Sequence, residues 1–168
     1  ILKAKYIDIF TNKDIYLNGN FTLIHNNNKL KLEGYLNDFI NTNNNNRSIN
    51  NNLCGYGTVN CNNIEKIALG FNFICILSDN FYCIGDINKD DKDKFVKIDI
   101  KADNIYANFN TICYKNKDSF YCQQDFSNFK LVNEFENLNV TDISIGLNKI
   151  CALTTDNTLY CKDYKNDS

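Results

Sequence analysis

Methionine is missing from the 168-residue sequence, histidine occurs once, and glycine only seven times. With His25 alone, no Ser/His/Asp or Cys/His constellation can be assembled elsewhere, and His25 lies in a polar hairpin where exposure is expected. Seven scattered glycines make no phosphate-cradling loop. Charge is in excess of neither sign (net −2), which removes the basic footprint expected of a nucleic-acid or acidic-membrane binder. No apolar run approaches the roughly 18 residues needed to span a bilayer. Nothing at the N-terminus reads as a signal peptide, yet a chain that lacks Met and starts at Ile1 is expected to be a processed product or a segment. Alanine is also scarce, and no window carries a sustained 3.6-residue apolar stripe. Ile, Tyr, Phe and Thr are plentiful, with 43% hydrophobic and 13% aromatic residues, so the chain reads as one globular, all-β domain.

Four segments align internally: Lys13–Leu23, Glu65–Cys75, Asp103–Cys113 and Thr141–Cys151. Each has an isoleucine (Ile15, Ile67, Ile105, Ile143), then an apolar residue two positions on. Gly or Asn follows (Asn18, Gly70, Asn108, Gly146), and two residues later always Asn (Asn20, Asn72, Asn110, Asn148). The period is 38 residues from Ile67 to Ile105 and again to Ile143, but 52 from Ile15 to Ile67, where an insertion intervenes. Ile-x-apolar predicts a strand, Gly or Asn a turn tolerant of left-handed backbone, and the fixed Asn a side chain that pins it. A second and third strand follow across a polar tip, as in Ile74–Leu77, Ser78–Asn80 and Phe81–Ile84. Three short strands make a sheet too small to stand alone, so the units are expected to pack radially on one another.

The segment Ile150-Cys-Ala-Leu-Thr-Thr-Asp-Asn-Thr-Leu-Tyr-Cys161 resembles the hairpin of RCC1-like β-propeller repeats in their secreted, cysteine-bearing form, and Gly70 and Gly146 match that family's strand-ending glycine. The resemblance implies a propeller of short three- to four-stranded blades. The family's histidine after the glycine is replaced by Phe21, Phe73, Thr111 and Lys149, so no known partner surface carries over.

Eight cysteines fall as four local pairs: Cys54/Cys61, Cys75/Cys83, Cys113/Cys122 and Cys151/Cys161. Three pairs recur on opposite arms of successive hairpins, where opposed Cβ atoms are within bridging reach. In the first copy Leu23 and Leu32 take these places, an exchange that suits a staple and not a metal ligand. Disulfides are expected over reduced thiols or a metal, since Cys-x-x-Cys knuckles are absent. Each bridge would add roughly 2–3 kcal/mol by loop entropy. They imply an oxidising setting: extracellular, secretory-pathway, or a virion or cell surface. Asn20, Asn46, Asn139 and Asn166 head glycosylation acceptors there.

Blades are expected at about 1–53, 54–90, 91–128 and 129–168, each opening on a lead strand (Tyr6–Ile9, Phe95–Ile98, Phe129–Val132), with an Asn-rich flexible insertion at 41–52. Four blades predict an open arc completed by further blades or another chain. Asp86–Asp90 has the alternation of a calcium loop but lacks its central Gly, so a solvated loop is expected. Repeating aromatics (Phe71, Phe73, Tyr82, Phe109, Tyr121, Tyr160) are expected in the core, any left on a face serving as interface anchors. No catalytic, cofactor or metal residue is indicated. The reading is a protein-binding or assembly module with no nucleic-acid or membrane-inserted partner. The alternatives are guanine-nucleotide exchange, as the family resemblance suggests, or a glycan-processing propeller enzyme with carboxylates clustered at its centre.

Overall fold

The computed structural model describes residues 13–18, 21–34, 52–124 and 128–163. They form four separate antiparallel sheets in sequence order. The first holds β1 (Lys13–Leu17), β2 (Phe21–Asn26) and β3 (Lys29–Gly34). In the second, β4 (Lys66–Leu69), β5 (Phe73–Leu77), β6 (Phe81–Gly85) and β7 (Val96–Ile98) pair in order. β8 (Asn104–Asn108), β9 (Thr111–Asn116), β10 (Ser119–Gln124) and β11 (Lys130–Leu131) make the third. The fourth is β12 (Val140–Ile145), β13 (Lys149–Thr154) and β14 (Leu159–Asp163). Two-residue turns join the first two strands of the second, third and fourth sheets, closed at Gly70–Phe73 and Gly146–Lys149 by amide-to-carbonyl bonds of 3.0 and 2.7 Å, and in the first sheet Asn18 N donates to Phe21 O at 3.2 Å. Asn27, Lys117 and Asn157 sit in left-handed backbone at the tips of the second hairpins, a conformation Asn tolerates best, and Lys117 N is held by Asp103 Oδ2 at 2.6 Å.

Side chains alternate between the faces of a sheet, so each sheet has a leading face toward its predecessor and a trailing face toward its successor. Phe21, Leu23 and Leu32, on the trailing face of the first sheet, pack with leading Ile67, Ile74 and Ile76 of the second. Phe73, Cys75 and Cys83 pack with Ile105, Ile112 and Tyr114 of the third. Cys113, Phe120 and Cys122 pack with Ile143, Ile145, Ile150 and Ala152 of the fourth. Aromatic rings fill the outer part of the junctions: Tyr114 stacks on Tyr121 with centroids 4.9 Å apart, and Phe120 meets Phe135 edge-on at 6.3 Å. Burial follows this stacking. Every residue of β5 and β6 is buried because both faces are covered, whereas β13 alternates because one is.

The lead strands fall elsewhere than at the starts of blades. Val96–Ile98 pairs with β6 and Lys130–Leu131 with β10, at the outer edges of the preceding sheets, so the sheets end later than 90 and 128. Tyr6–Ile9 and nearly all of 41–52 lie outside the described residues. The last residue of the insertion, Asn52, caps a 3-10 turn at Leu53–Gly55 and clamps the first sheet. Its Oδ1 accepts from Leu30 N at 2.8 Å and from Cys54 N at 3.1 Å.

Candidate binding face at the inner mouth of the arc

The innermost strands β1, β4, β8 and β12 line a groove of 690 Å3, walled by Ile15, Leu17, Ile67, Leu69, Ile105 and Ile143 among others. The repeat's Gly/Asn position and the residue after it tie these inner strands together. Asn18 Nδ2 donates to Gly70 O at 2.8 Å, Phe71 N to Phe109 O at 2.6 Å, and Asn108 Nδ2 to Ile145 O at 2.8 Å, so each junction has one bond at its inner edge. Gly70 and Gly146 do not use the left-handed backbone expected of them. Gly70 is required because an added Cβ would lie 2.0 Å from the buried Phe73 ring; at Gly146 the nearest atom is 3.5 Å away. Asn72, Asn110 and Asn148 fall in the turns. The Asn72 carbonyl accepts from Asp86 N at 3.0 Å, and Asn110 Oδ1 accepts from the Thr111 hydroxyl at 3.4 Å. Asn20 lies outside the described residues.

The expectation of core positions for the repeating aromatics divides. Phe73 and Tyr82 are buried and Tyr121 is half-buried, but Phe71, Phe109 and Tyr160 are exposed. Phe71, Phe109 and Leu147 take the same turn position in successive sheets, and the first two line the groove. With Leu17 (72% exposed) and Leu147 (60% exposed), the lip is an apolar rim. Inside the groove Lys66 Nζ stands 5.3 Å over the Tyr106 ring, whose hydroxyl accepts from Asn104 Nδ2 at 3.0 Å. Burial, and then the charge of Asp142, push the Tyr106 phenol above its usual range, so it is a neutral hydrogen-bonding group at pH 7.

Elsewhere the four cysteine pairs are disulfides. Cys75/Cys83, Cys113/Cys122 and Cys151/Cys161 are directly opposed, with Cα atoms 4.1 to 4.2 Å apart, as Leu23 and Leu32 are opposed in the first sheet. The fourth bridge, Cys54–Cys61, closes a loop held to the second sheet by Phe95 N donating to Tyr56 O at 2.9 Å. His25 is not exposed as expected: its side chain is 16% accessible, and Nδ1 is 3.9 Å from Asp14 Oδ2 on the paired strand. The Asp86–Asp90 loop is organised inward. Asn88 is buried and its Nδ2 donates to Cys83 O (2.6 Å) and Lys94 O (3.3 Å), while Asp86 pairs with Lys92 at 3.2 Å. Among the described residues no three His, Cys, Asp or Glu cluster as metal ligands, and no helix is long and apolar enough to cross a membrane.

Sheets stacked radially by trailing and leading faces around a groove of inner strands define a β-propeller. No protein family matches the chain by sequence, and no curated protein does so either. Solved propellers match in fold. Yeast RCC1 (Prp20), solved bound to Kap60, superposes with TM-score 0.68 at 13% identity over 88% of this chain and 40% of its own. The CRINKLY WD40 ectodomain of the Arabidopsis thaliana receptor kinase ACR4 gives 0.56 at 11% identity, over 92% of this chain and 51% of its own. Kluyveromyces lactis Hsv2p gives 0.56 at 11% identity, covering 96% and 52%. This chain therefore spans about half or less of each of these propellers.

Proposed function

We propose that the chain is a non-catalytic protein-binding and assembly module, extracellular or surface-exposed, that engages its partner through the inner mouth. The observation that carries this is the apolar rim of Leu17, Phe71, Phe109 and Leu147. Phe71, Phe109 and Leu147 recur at one turn position and Leu17 ends β1, and all four side chains are exposed. Exposed aromatic and aliphatic groups around a groove are the usual anchors of protein interfaces. The lysine, phenol and carboxylate below the rim supply polar points of orientation. Two fold neighbours support the reading: RCC1 was solved on a protein partner, and the ACR4 domain is an ectodomain. The four disulfides fit an oxidising compartment.

The test uses oxidised protein immobilised against an extract of its native source. Proteins retained by the wild type should be lost from Phe71→Asp and Leu147→Asp, whose exposed positions leave the melting temperature unchanged. Equal retention by both variants, or turnover of a substrate in a broad hydrolase and transferase screen, would defeat the proposal.

A further inference from the structure

The two ends of the arc are unlike, and each is one half of a junction the molecule already makes three times. At the trailing end, the outer face of the fourth sheet presents Cys151–Cys161 with Leu153 (38% exposed) and Leu159 (64% exposed). Its counterpart one sheet earlier, around Cys113–Cys122, is buried under Ile143, Ile145, Ile150 and Ala152. At the leading end, the outer face of the first sheet presents Ile15 (41% exposed), Leu17, Thr22 and Ile24. Its counterparts Ile67, Leu69, Ile74 and Ile76 are packed on the Leu23/Leu32 face. Among the described residues nothing packs on either end.

We propose that a second copy of this chain docks its leading face (Ile15, Ile24) onto the trailing face (Cys151–Cys161, Leu153, Leu159), and that the reciprocal contact closes two arcs into one ring of eight sheets. The occupant follows from continuity with the existing junctions. A disulfide platform takes an Ile-x-apolar strand pair, and this chain carries one free example of each. The contact is heterologous, leading on trailing, so copies related by a half-turn satisfy both ends at once. Eight sheets are the upper end of the usual range for propellers, and a third arc would exceed it. Ile15 and Leu17 belong both to this face and to the groove wall, so the test reads the mass of the protein alone, with no partner at the inner mouth present.

The experiment is light scattering behind size exclusion on the oxidised chain Ile1–Ser168, loaded at about 100 μM to cover the weak end of standard-size interfaces. The expected mass is twice the 19.4 kDa of one chain. Ile15→Glu (leading) and Leu159→Glu (trailing) should each run at half the wild-type mass. Their equimolar mixture should regain the two-copy mass, because the intact trailing face of one meets the intact leading face of the other. Melting curves check that each variant is folded, with Ile24→Glu and Leu153→Glu as replacements for one that is not. A wild-type monomer, a dimer indifferent to both variants, a mixture that stays at the single-chain mass, or a ladder of larger species would each overturn the proposal.

Discussion

Replacing the bridges one at a time by paired alanines should destabilise the protein unequally, in the order of their burial. Each hairpin bridge closes a loop of 8 to 10 residues. On the chain-entropy model such a loop contributes about 2.5 kcal/mol, nearly the same for all three. The Cys75–Cys83 sulfurs are also fully buried between the second and third sheets. Removing them deletes two methylene-sized groups from packed core, adding about 0.8 kcal/mol each plus the cavity left behind. In the single chain Cys151 is half-buried and Cys161 exposed, so in melts dilute enough to keep copies apart that loss is close to the loop entropy alone. Expected losses are therefore about 4–5 kcal/mol for Cys75→Ala/Cys83→Ala and about 2.5 kcal/mol for Cys151→Ala/Cys161→Ala. In a domain of this size 1 kcal/mol moves the melting temperature about 2–4 °C, so the second variant should melt about 5–10 °C low and the first roughly twice as far below wild type. Calorimetry without reductant reads both. Equal losses would refute the platform role of the disulfide, and losses below about 1 kcal/mol throughout would refute the staples themselves.

Gly57 combines φ of +90° with a position where a Cβ would lie 2.3 Å from Phe95 O, so Gly57→Ala should cost well over about 1 kcal/mol in a denaturant melt; a neutral result would contradict the close approach of that loop to the second sheet. Asn88→Ala removes two bonds from a buried side chain, to the Cys83 and Lys94 carbonyls, and should cost about 1–3 kcal/mol, whereas Asp90→Ala in the same loop should be within about 0.5 kcal/mol of wild type. At Asp156 the Thr154 hydroxyl, and at Asp79 the Tyr82, Asn60 and Ser78 side chains against an opposing burial effect, hold the carboxyls below their usual range. A folded-state value below the unfolded one, about 3.9, stabilises the fold above that pH and ceases to as pH falls through the folded value. The melting temperature should thus be flat from neutrality to about pH 5 and fall below about pH 4, less steeply in Asp156→Asn; an unchanged slope would exclude that carboxylate as a source.

The sheets were legible in the sequence because one period carries all their determinants. Ile-x-apolar marks the inner strand, and the cysteine pair fixes the register of the next two, since opposed positions must be bridgeable. Less accessible was what each repeat position does for its neighbour. Asn18 and Asn108 look like turn residues locally, but their amides reach carbonyls 52 and 37 residues away, in the next sheet. Gly70 reads as conformational freedom and is in fact a space requirement set by Phe73. Val96–Ile98 and Lys130–Leu131 were seen as strands but assigned forward instead of back, because an edge strand three or two residues long carries no mark of which side it pairs. The recurrence of Phe71 and Phe109 points to the core, yet both side chains are exposed. Recurrence alone does not separate a side chain packed between sheets from one standing at the end of a turn.

A stack of sheets with registers pinned by their own disulfides requires those bridges in the protein as it is made. Non-reducing peptide mapping by mass spectrometry, on protein from its native source, tests it most directly. The expected result is four linked peptides, joining Cys54 to Cys61, Cys75 to Cys83, Cys113 to Cys122 and Cys151 to Cys161, with no free thiol. Free cysteines throughout, or bridges that cross from one hairpin to another, would contradict both the register and the compartment.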